Sequence, residues 1–517
     1  MSTEKKDFSA KALGFGLVNA VVLYLAAGAL PLPDTASPYA AQMAAGITGF
    51  VATCWLASAI PLGAASLLPL ALMPMLGVMP LSKIAGAYAH PVIWMLFGGF
   101  VLALGVERWN LHHRIALGII HRVGVEPKRL VLGFMVASAF LSMWLSNTAT
   151  TLLLLPIALA LVATLKDAGG VGEEDEKNFS FTLLLGIAYA ASLGGLGTPI
   201  GTAPNALYLS NYDVFEAQGA PAMSFLLWMA VAVPVVLLMV PLVWWLLTHI
   251  LAPAHVQLGN AQEVLDAESE KLPPMDSAER RMLGLFAVAA ILWSTRRDID
   301  LGAFTIPGWW NLFPVENAQY IGEGAISVLL CLVAFLIPSG RKPGQALINW
   351  ETANKVPWDI LLLIGGGIGI AKSFAATGLA EGVALALEPI AASTPILVMI
   401  VVIAFMMTFL TEVTSNTATT ALLLPILSST AIAAQMDPRL LMLPATLSAS
   451  CAFMLPIATP PNAIVFSSGK IPMQRMARVG FWINLLGVLV ISAVIWFIAV
   501  PLLGIETQGL PSWAAKG

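Results

Sequence analysis

Long apolar runs separated by short polar breaks fill most of the 517-residue chain. About twenty predominantly apolar residues suffice for a helix to cross a hydrocarbon layer about 30 Å thick. Candidate spans fall at 12–32, 39–59, 61–79, 90–106, 180–210, 224–250, 281–294, 321–338, 356–375, 438–468 and 479–503. They are too long for barrel strands, and lipid tolerates only helices or closed barrels, because an unpaired backbone group there costs several kcal/mol. Helices are therefore predicted throughout.

Composition agrees: 58% of the residues are hydrophobic, 10% are charged, and the mean hydropathy is +0.85. A soluble domain carries about one quarter charged residues. The net charge of -4 is small and says nothing about partners; the absence of a basic stripe argues against nucleic acid. Cys54, Cys331 and Cys451 lie in apolar stretches and read as buried hydrophobes. The N-terminal stretch reads as a first spanning helix after a polar leader, not as a cleavable export signal.

Basic residues orient the spans. Lys5, Lys6 and Lys11 put the N-terminus in the cytoplasm. Counting crossings places the loop of Arg108, Arg114, Arg122, Lys128 and Arg129 on the same side. Arg341, Lys342 and Lys355, then Lys470, Arg475 and Arg478, follow them there, which leaves the C-terminus outside. Arg296 and Arg297 fall outside, with Asp298 and Asp300 to balance them.

The strongest internal signal is a duplication. Ser146-Asn147-Thr148-Ala149-Thr150-Thr151 recurs as Ser415-Asn416-Thr417-Ala418-Thr419-Thr420, each followed by leucines and a proline, Pro156 or Pro425. A glycine-rich span precedes each copy, Gly98-Gly99 or Gly365-Gly366-Gly367. A second element follows each, Gly201-Thr202-Ala203-Pro204-Asn205 or Ala458-Thr459-Pro460-Pro461-Asn462. The predicted fold is an all-α polytopic membrane protein of about eleven transmembrane helices, with two re-entrant hairpins in two inverted repeats. Residues 1–38 form the N-terminal segment and first spanning helix. The first repeat is 39–250, with hairpin 130–165 and broken helix 180–210. A charged connector at 251–280, cytoplasmic by the same count, precedes the second repeat, 281–503, with hairpin 390–434 and broken helix 438–468. Residues 504–517 are a tail.

Ser, Asn and Thr bond their own backbone and favour caps and turns, so Ser146–Thr148 and Ser415–Thr417 are predicted hairpin tips. Proline removes a donor and clashes with the preceding turn, which predicts helix breaks at the two T-x-P-N elements. Irregular backbone at membrane depth is tolerated where it lines a cavity, so two tips and two breaks can share one site. Helix N-termini there suit an anion, and free carbonyls with Ser, Thr and Asn oxygens suit Na⁺. The motifs contain no Lys or Arg, so co-bound cations are the natural counter-charge for a dianion.

Other features read more plainly. The glycine-rich stretches are expected to allow close helix packing, and they lack a P-loop lysine. Glu412 is either a functional intramembrane carboxylate or a partner for backbone donors near the tip. His112, His113 and His121 suit an interfacial helix face, Trp293, Trp309 and Trp310 an interfacial belt, and Glu173–Glu176 a solvated loop. Neither HExxH nor GxSxG occurs, which argues against an intramembrane enzyme.

The paired SNT motifs, the run Leu410-Thr411-Glu412-Val413-Thr414 and the TPPN at 459–462 closely resemble the divalent anion–sodium symporter family. The likeness extends from about residue 40 to 500. It implies a multi-pass inner-membrane homodimer in which each protomer has a scaffold and a transport domain, working by elevator-type alternating access. It implies that substrate carboxylates meet Ser146, Asn147, Thr148, Ser415, Asn416 and Thr417, with Thr202, Thr459 and Pro460 beside them. One sodium site would use Ser142, Ser146, Asn147 and Gly201; the other would use Thr411, Thr414, Asn416 and Ala458. Ala203 departs from the family, where proline is frequent. The implied activity is sodium-coupled symport of C4-dicarboxylates such as succinate, fumarate or malate. A sodium-independent dicarboxylate exchanger and a sulfate or citrate carrier of the same fold are the rivals.

Overall fold

A computed structural model describes residues 8–34, 36–167, 172–254, 256, 261–300, 305–314 and 320–514; Lys5 and Lys6 lie outside the described residues. Helix α1 (Ala10–Ala27) starts at Ser9, whose hydroxyl accepts the Ala12 N–H. Helix α2 (Pro38–Leu56) starts at Ser37, with Pro38 in the first turn, where its missing N–H costs nothing. Ser9 N–H donates to Ala59 O at 2.8 Å, so the start of α1 lies at the far end of α2.

The apolar run at 61–79 does not form one span. Pro61 and Pro69 start two short helices, α3 (Leu62–Ser66) and α4 (Leu68–Met75), and Gly77, at φ +70, ends the second. Next come α5 (Leu81–Tyr88), α6 (Pro91–Arg108) and the amphipathic α7 (Leu111–Val123), which carries the three histidines. Helices α8 (Pro127–Ser142) and α9 (Asn147–Asp167) flank the first SNT turn. Helices α10 (Glu173–Gly195) and α11 (Ala203–Ala217) flank an unwound segment, and α12 (Phe225–Trp245) follows. The acidic run Glu173–Glu176 is the first turn of α10 instead of a loop; carboxylates there complement the helix dipole. The connector at 251–280 contains its own helix, α13 (Ala261–Glu270).

The second half follows. After α14 (Ser277–Ser294) and a two-stranded ribbon pairing Ile299–Asp300 with Thr305–Ile306 come α15 (Glu323–Leu336) and α16 (Trp350–Ala353). Gly378, in the left-handed region at φ +72, separates α17 (Trp358–Thr377) from α18 (Leu379–Ser393). The second SNT turn lies between α19 (Ile396–Leu410) and α20 (Asn416–Ala433). The predicted hairpin limit at 390 is therefore too early; residues up to Ser393 belong to α18, and Pro395 caps the new helix. Helices α21 (Arg439–Ala449) and α22 (Pro460–Phe466) flank the second unwound segment, and α23 (Met473–Val494) closes the bundle.

The chain is thus a multi-span helical membrane protein. Among the described residues, seven helices are long and apolar enough to cross a membrane, with shorter apolar helices at Leu62–Met75, Asn147–Ala163, Glu323–Leu336 and Ile396–Leu410.

The glycines pack as predicted. A Cβ on Gly98 would lie 2.5 Å from the Ser327 carbonyl of α15, and one on Gly365 would lie 2.5 Å from the Tyr88 ring. Trp293 is not an interfacial residue. It is 1% exposed, and its indole N–H donates to Ser327 Oγ at 3.0 Å.

Basic loops gather on one face. The Arg114 guanidinium bonds Glu279 at 2.8 Å, Arg108 donates to Leu347 O, and Arg341 stacks 4.7 Å over the Trp109 ring. On the opposite face, Arg296 and Arg297 find Glu323 and Glu216, at 2.9 and 3.2 Å, as partners in place of the aspartates beside them. There too the buried Arg439 is held by Asp437 at 2.6 Å, donates to Leu503 O and faces the Trp513 ring.

Candidate functional site

Each SNT turn starts a helix. Ser146 Oγ accepts the Ala149 N–H at 3.0 Å, and Ser415 Oγ accepts the Ala418 N–H at 3.4 Å, so the serines are N-caps. The next residues match as well: Thr151 OH donates to Asn147 O, and Thr420 OH to Asn416 O, at 2.8 and 2.7 Å.

The helices break upstream of the T-x-P-N prolines, not at them. Pro204 and Pro460 sit in the first turns of α11 and α22, where proline is tolerated. The unwound segments are instead pinned by the asparagines of the motif. The Asn205 amide donates to Gly195 O, Leu196 O and Thr198 O at 2.9, 3.2 and 2.7 Å. Asn462 donates to Ala452 O and Leu455 O, both at 3.1 Å. Ala203 leaves the first of these breaks intact. Such bonds satisfy carbonyls that the missing helical turns would otherwise leave unpaired.

All four interruptions meet at a single cavity of about 910 Å³. Its wall includes Ser146, Asn147 and Thr148 from one tip and Ser415, Asn416 and Thr417 from the other. Gly201, Thr202, Ala458, Thr459 and Pro460 come from the breaks, and Thr414 from below the second tip. Two candidates stand behind this wall. The fully buried Ser142 donates to Asn147 Oδ1 at 2.5 Å. Thr411, also fully buried, donates to Met407 O at 2.8 Å. The Asn147 amide lies against Gly195. A Cβ on Gly195 would meet Asn147 Oδ1 at 2.8 Å and Gly201 O at 3.2 Å, so both glycines are needed for this approach. The cavity mouth is bounded by Glu107, Lys355 and Asp359, at the face that carries the basic loops.

Several buried oxygens in this region lack a protein partner. Asn416 Oδ1, Ser192 Oγ and Ser450 Oγ are among them, and all three residues line the cavity. Ser192 and Ser450 were missed in the sequence. A longer comparison of the duplication finds them: Ala191-Ser192 and Ala449-Ser450 stand before Pro199-Ile200-Gly201-Thr202 and Pro456-Ile457-Ala458-Thr459.

Glu412 takes the backbone role. Its carboxylate accepts Met454 N–H at 2.8 Å, Leu455 N–H at 3.0 Å and the Asn484 amide at 2.7 Å. It therefore binds the second unwound segment to the foot of the second tip. Tyr189 OH donates to Phe453 O at 2.6 Å, so α10 is tied to the same segment.

This arrangement serves two signs of charge. Helices α9, α11 and α20 begin at the cavity, and the short α22 does too; each start offers free N–H groups and a positive dipole end. Helices α8, α10, α19 and α21 end beside the same turns and bring carbonyl oxygens. Among the described residues no group of three or more His, Cys, Asp or Glu gathers as for a tightly held transition metal.

Residues 11–503 match the family described as sodium:sulfate symporter, transmembrane region. The chain is 38% identical over 513 residues to a sodium-dependent dicarboxylate transporter, SdcS, of Staphylococcus saprophyticus, covering 98% of this chain and 95% of that protein. It is 36% identical over 515 residues to the SdcS protein of Staphylococcus aureus, covering 99% and 96%. Among solved structures, the YdaH transporter of Alcanivorax borkumensis shares the fold at a TM-score of 0.54 and 14% identity, over 81% of this chain and 88% of that one.

Proposed function

The chain belongs to the sodium:sulfate symporter family, the divalent anion–sodium symporters that its paired motifs resemble, and from that premise we propose that it carries C4-dicarboxylates together with sodium ions. The observation that carries the reading is the meeting of both SNT tips and both T-x-P-N breaks at one cavity. Its volume lies within the range of small-ligand sites, about 300–1,000 Å³. The helix starts at Asn147, Ala203, Asn416 and Pro460 would receive the two carboxylates, with Ser146, Thr148, Thr202, Ser415, Thr417 and Thr459 as hydroxyl partners.

Sodium would occupy the carbonyl-rich side of each turn. One ion would rest among Ser142, Ser146, Asn147 and Gly201, where the Asn147 oxygen and the Gly201 carbonyl both lie close to Gly195. The other would rest among Thr411, Thr414, Asn416 and Ala458, and the buried, unpartnered Asn416 oxygen favours it. A dianion left alone in this site would lack counter-charge, because Lys355, the cavity's one basic lining residue among the described residues, stands at the mouth. Sodium therefore binds first and the dianion second.

The repeated element order favours two inverted repeats, 39–250 and 281–503, with re-entrant hairpins at the SNT turns. In this reading α8–α12 with α19–α23 would form the transport domain, and α1–α7 with α14–α17 the scaffold of an elevator. The family resemblance favours a homodimer. The clustered basic loops support a cytoplasmic N-terminus and a cavity open to the cytoplasm in this conformation.

Purified protein in liposomes should accumulate labelled succinate only under an inward sodium gradient, with fumarate and malate competing. Equal uptake into sodium-free vesicles preloaded with dicarboxylate would favour an exchanger instead. Displacement of succinate by equimolar sulfate would favour a sulfate carrier.

A further inference from the structure

A second large cavity, of about 1010 Å³, lies toward the other end of the helices that line the first. On α17, Asp359 and Ile360 line the first cavity, whereas Ile368 to Ala376 line the second. On α20 the same division separates Asn416 and Thr417 from Pro425 to Ala433; on α11 it separates Ala203 from Ser210 to Gln218. At 1.5 Å rise per residue, Asp359 and Lys372 stand about 20 Å apart along α17. The two cavities are therefore the two ends of one crevice between α11 with α20 on one side and α17 on the other, with α5 lining the second end alone.

The crevice is sealed between them. A Cβ on Gly367 would lie 2.9 Å from Ala421 Cβ and 3.4 Å from Leu207 Cδ2, so α17 touches both opposing helices there. The charged side chains differ at the two ends. The first cavity's mouth has one lysine, Lys355, against two carboxylates, Glu107 and Asp359. The second has two exposed lysines, Lys83 and Lys372, against one carboxylate, Glu381.

We propose that the second cavity is a capture vestibule for the dicarboxylate dianion, in which Lys83 and Lys372 concentrate the anion before it reaches the SNT tips. This rests on the dicarboxylate reading given above. The lysines act on capture alone. Mobile ions screen exposed charges beyond about 8 Å at physiological salt, short of the roughly 15 Å between Lys372 and the level of Asn416, each five residues from the Gly367–Ala421 contact. Removing them alters KM and leaves the turnover of bound substrate. The opposite charge balance at the other mouth does not hold the anion after release, which suits a carrier loading from the lysine side.

The test is initial-rate uptake of labelled succinate into intact cells expressing the chain, at fixed sodium, with ionic strength raised by choline chloride. Wild-type KM should rise with ionic strength. The double variant K83Q/K372Q should show a KM about three- to tenfold higher at low ionic strength, an unchanged maximal rate and a flattened salt dependence. K83R/K372R, which keeps both charges, should behave as wild type. A wild-type KM in K83Q/K372Q, or equal loss in the Gln and Arg variants at normal surface expression, would overturn the proposal. If the wild type took up no succinate, the substrate assignment would fail first, and the vestibule with it.

Discussion

The side-chain amide of Asn484 donates to the carboxylate of Glu412 across 2.7 Å, joining α23 to the foot of the second SNT turn. The same carboxylate holds the Met454 and Leu455 N–H groups. Glutamine at 412 keeps the shape but turns one acceptor into a donor that faces an N–H. Glu412→Gln is expected to lower succinate uptake about tenfold, matching the loss of one charge-assisted hydrogen bond of about 1.5–3 kcal/mol. Uptake by the purified variant, beside its elution on size exclusion, checks this; wild-type rates would show the clamp to be dispensable.

Asn147 and Asn416 begin the helices at the two tips. Asn147→Ala and Asn416→Ala should each abolish uptake in a protein that still elutes as a single species. A ligand that binds only the folded state raises its melting temperature. Sodium should therefore stabilise the wild type against heat and stabilise each variant less, because each loses one of the two proposed sites. A full sodium-dependent shift in both would sink the assignment of the tips to cation binding.

Arg439 and Asp437 are 2% and 0% exposed at the face opposite the basic loops. Removing one partner strands the other as a buried charge. Arg439→Met or Asp437→Asn should destabilise the protein by about 3–5 kcal/mol, whereas the double change Asp437→Leu with Arg439→Met should recover much of the loss. Thermal unfolding in detergent measures all three, and a double variant as weak as the singles would contradict the pairing argument.

At Gly367 an added methyl would press on Ala421 across the sealed part of the crevice. Gly367→Ala should reduce the maximal uptake rate about tenfold if α20 has to slide past α17, while the sodium-dependent thermal shift persists. A rate equal to wild type would argue against sliding at this surface.

The polar motifs were legible because they break the rule of the medium around them. Ser, Asn and Thr in an apolar run, repeated letter for letter, have few explanations besides a built turn, and the cavity lies where those turns meet. The glycines at 98 and 365 were legible for a related reason, since a close helix contact is the common use of glycine in such a run. Trp293 was misread because its partner, Ser327, arrives from a helix 34 positions later, and nothing near Trp293 announces it. The breaks were located two to three turns too late because proline is tolerated in a first helical turn, while the asparagines that pin the unwound carbonyls act at a distance of up to ten residues. The run at 61–79 read as one span because its apolar count is right; its prolines decide otherwise.

Each interruption presents a helix start and a helix end within a few residues of one another. On the proposed reading, coupling ion and cargo bind at adjacent ends of the same interruptions, the cargo at the N–H ends and the ion at the carbonyl ends. The freedom to change diet must reside elsewhere on the wall, at positions such as Ile200, Val413 and Ile457. Bulk there trims the room for the cargo's carbon skeleton without disturbing the amide and carbonyl ends. Descendants of such a carrier would diverge in what they eat long before they could abandon the ion that drives them.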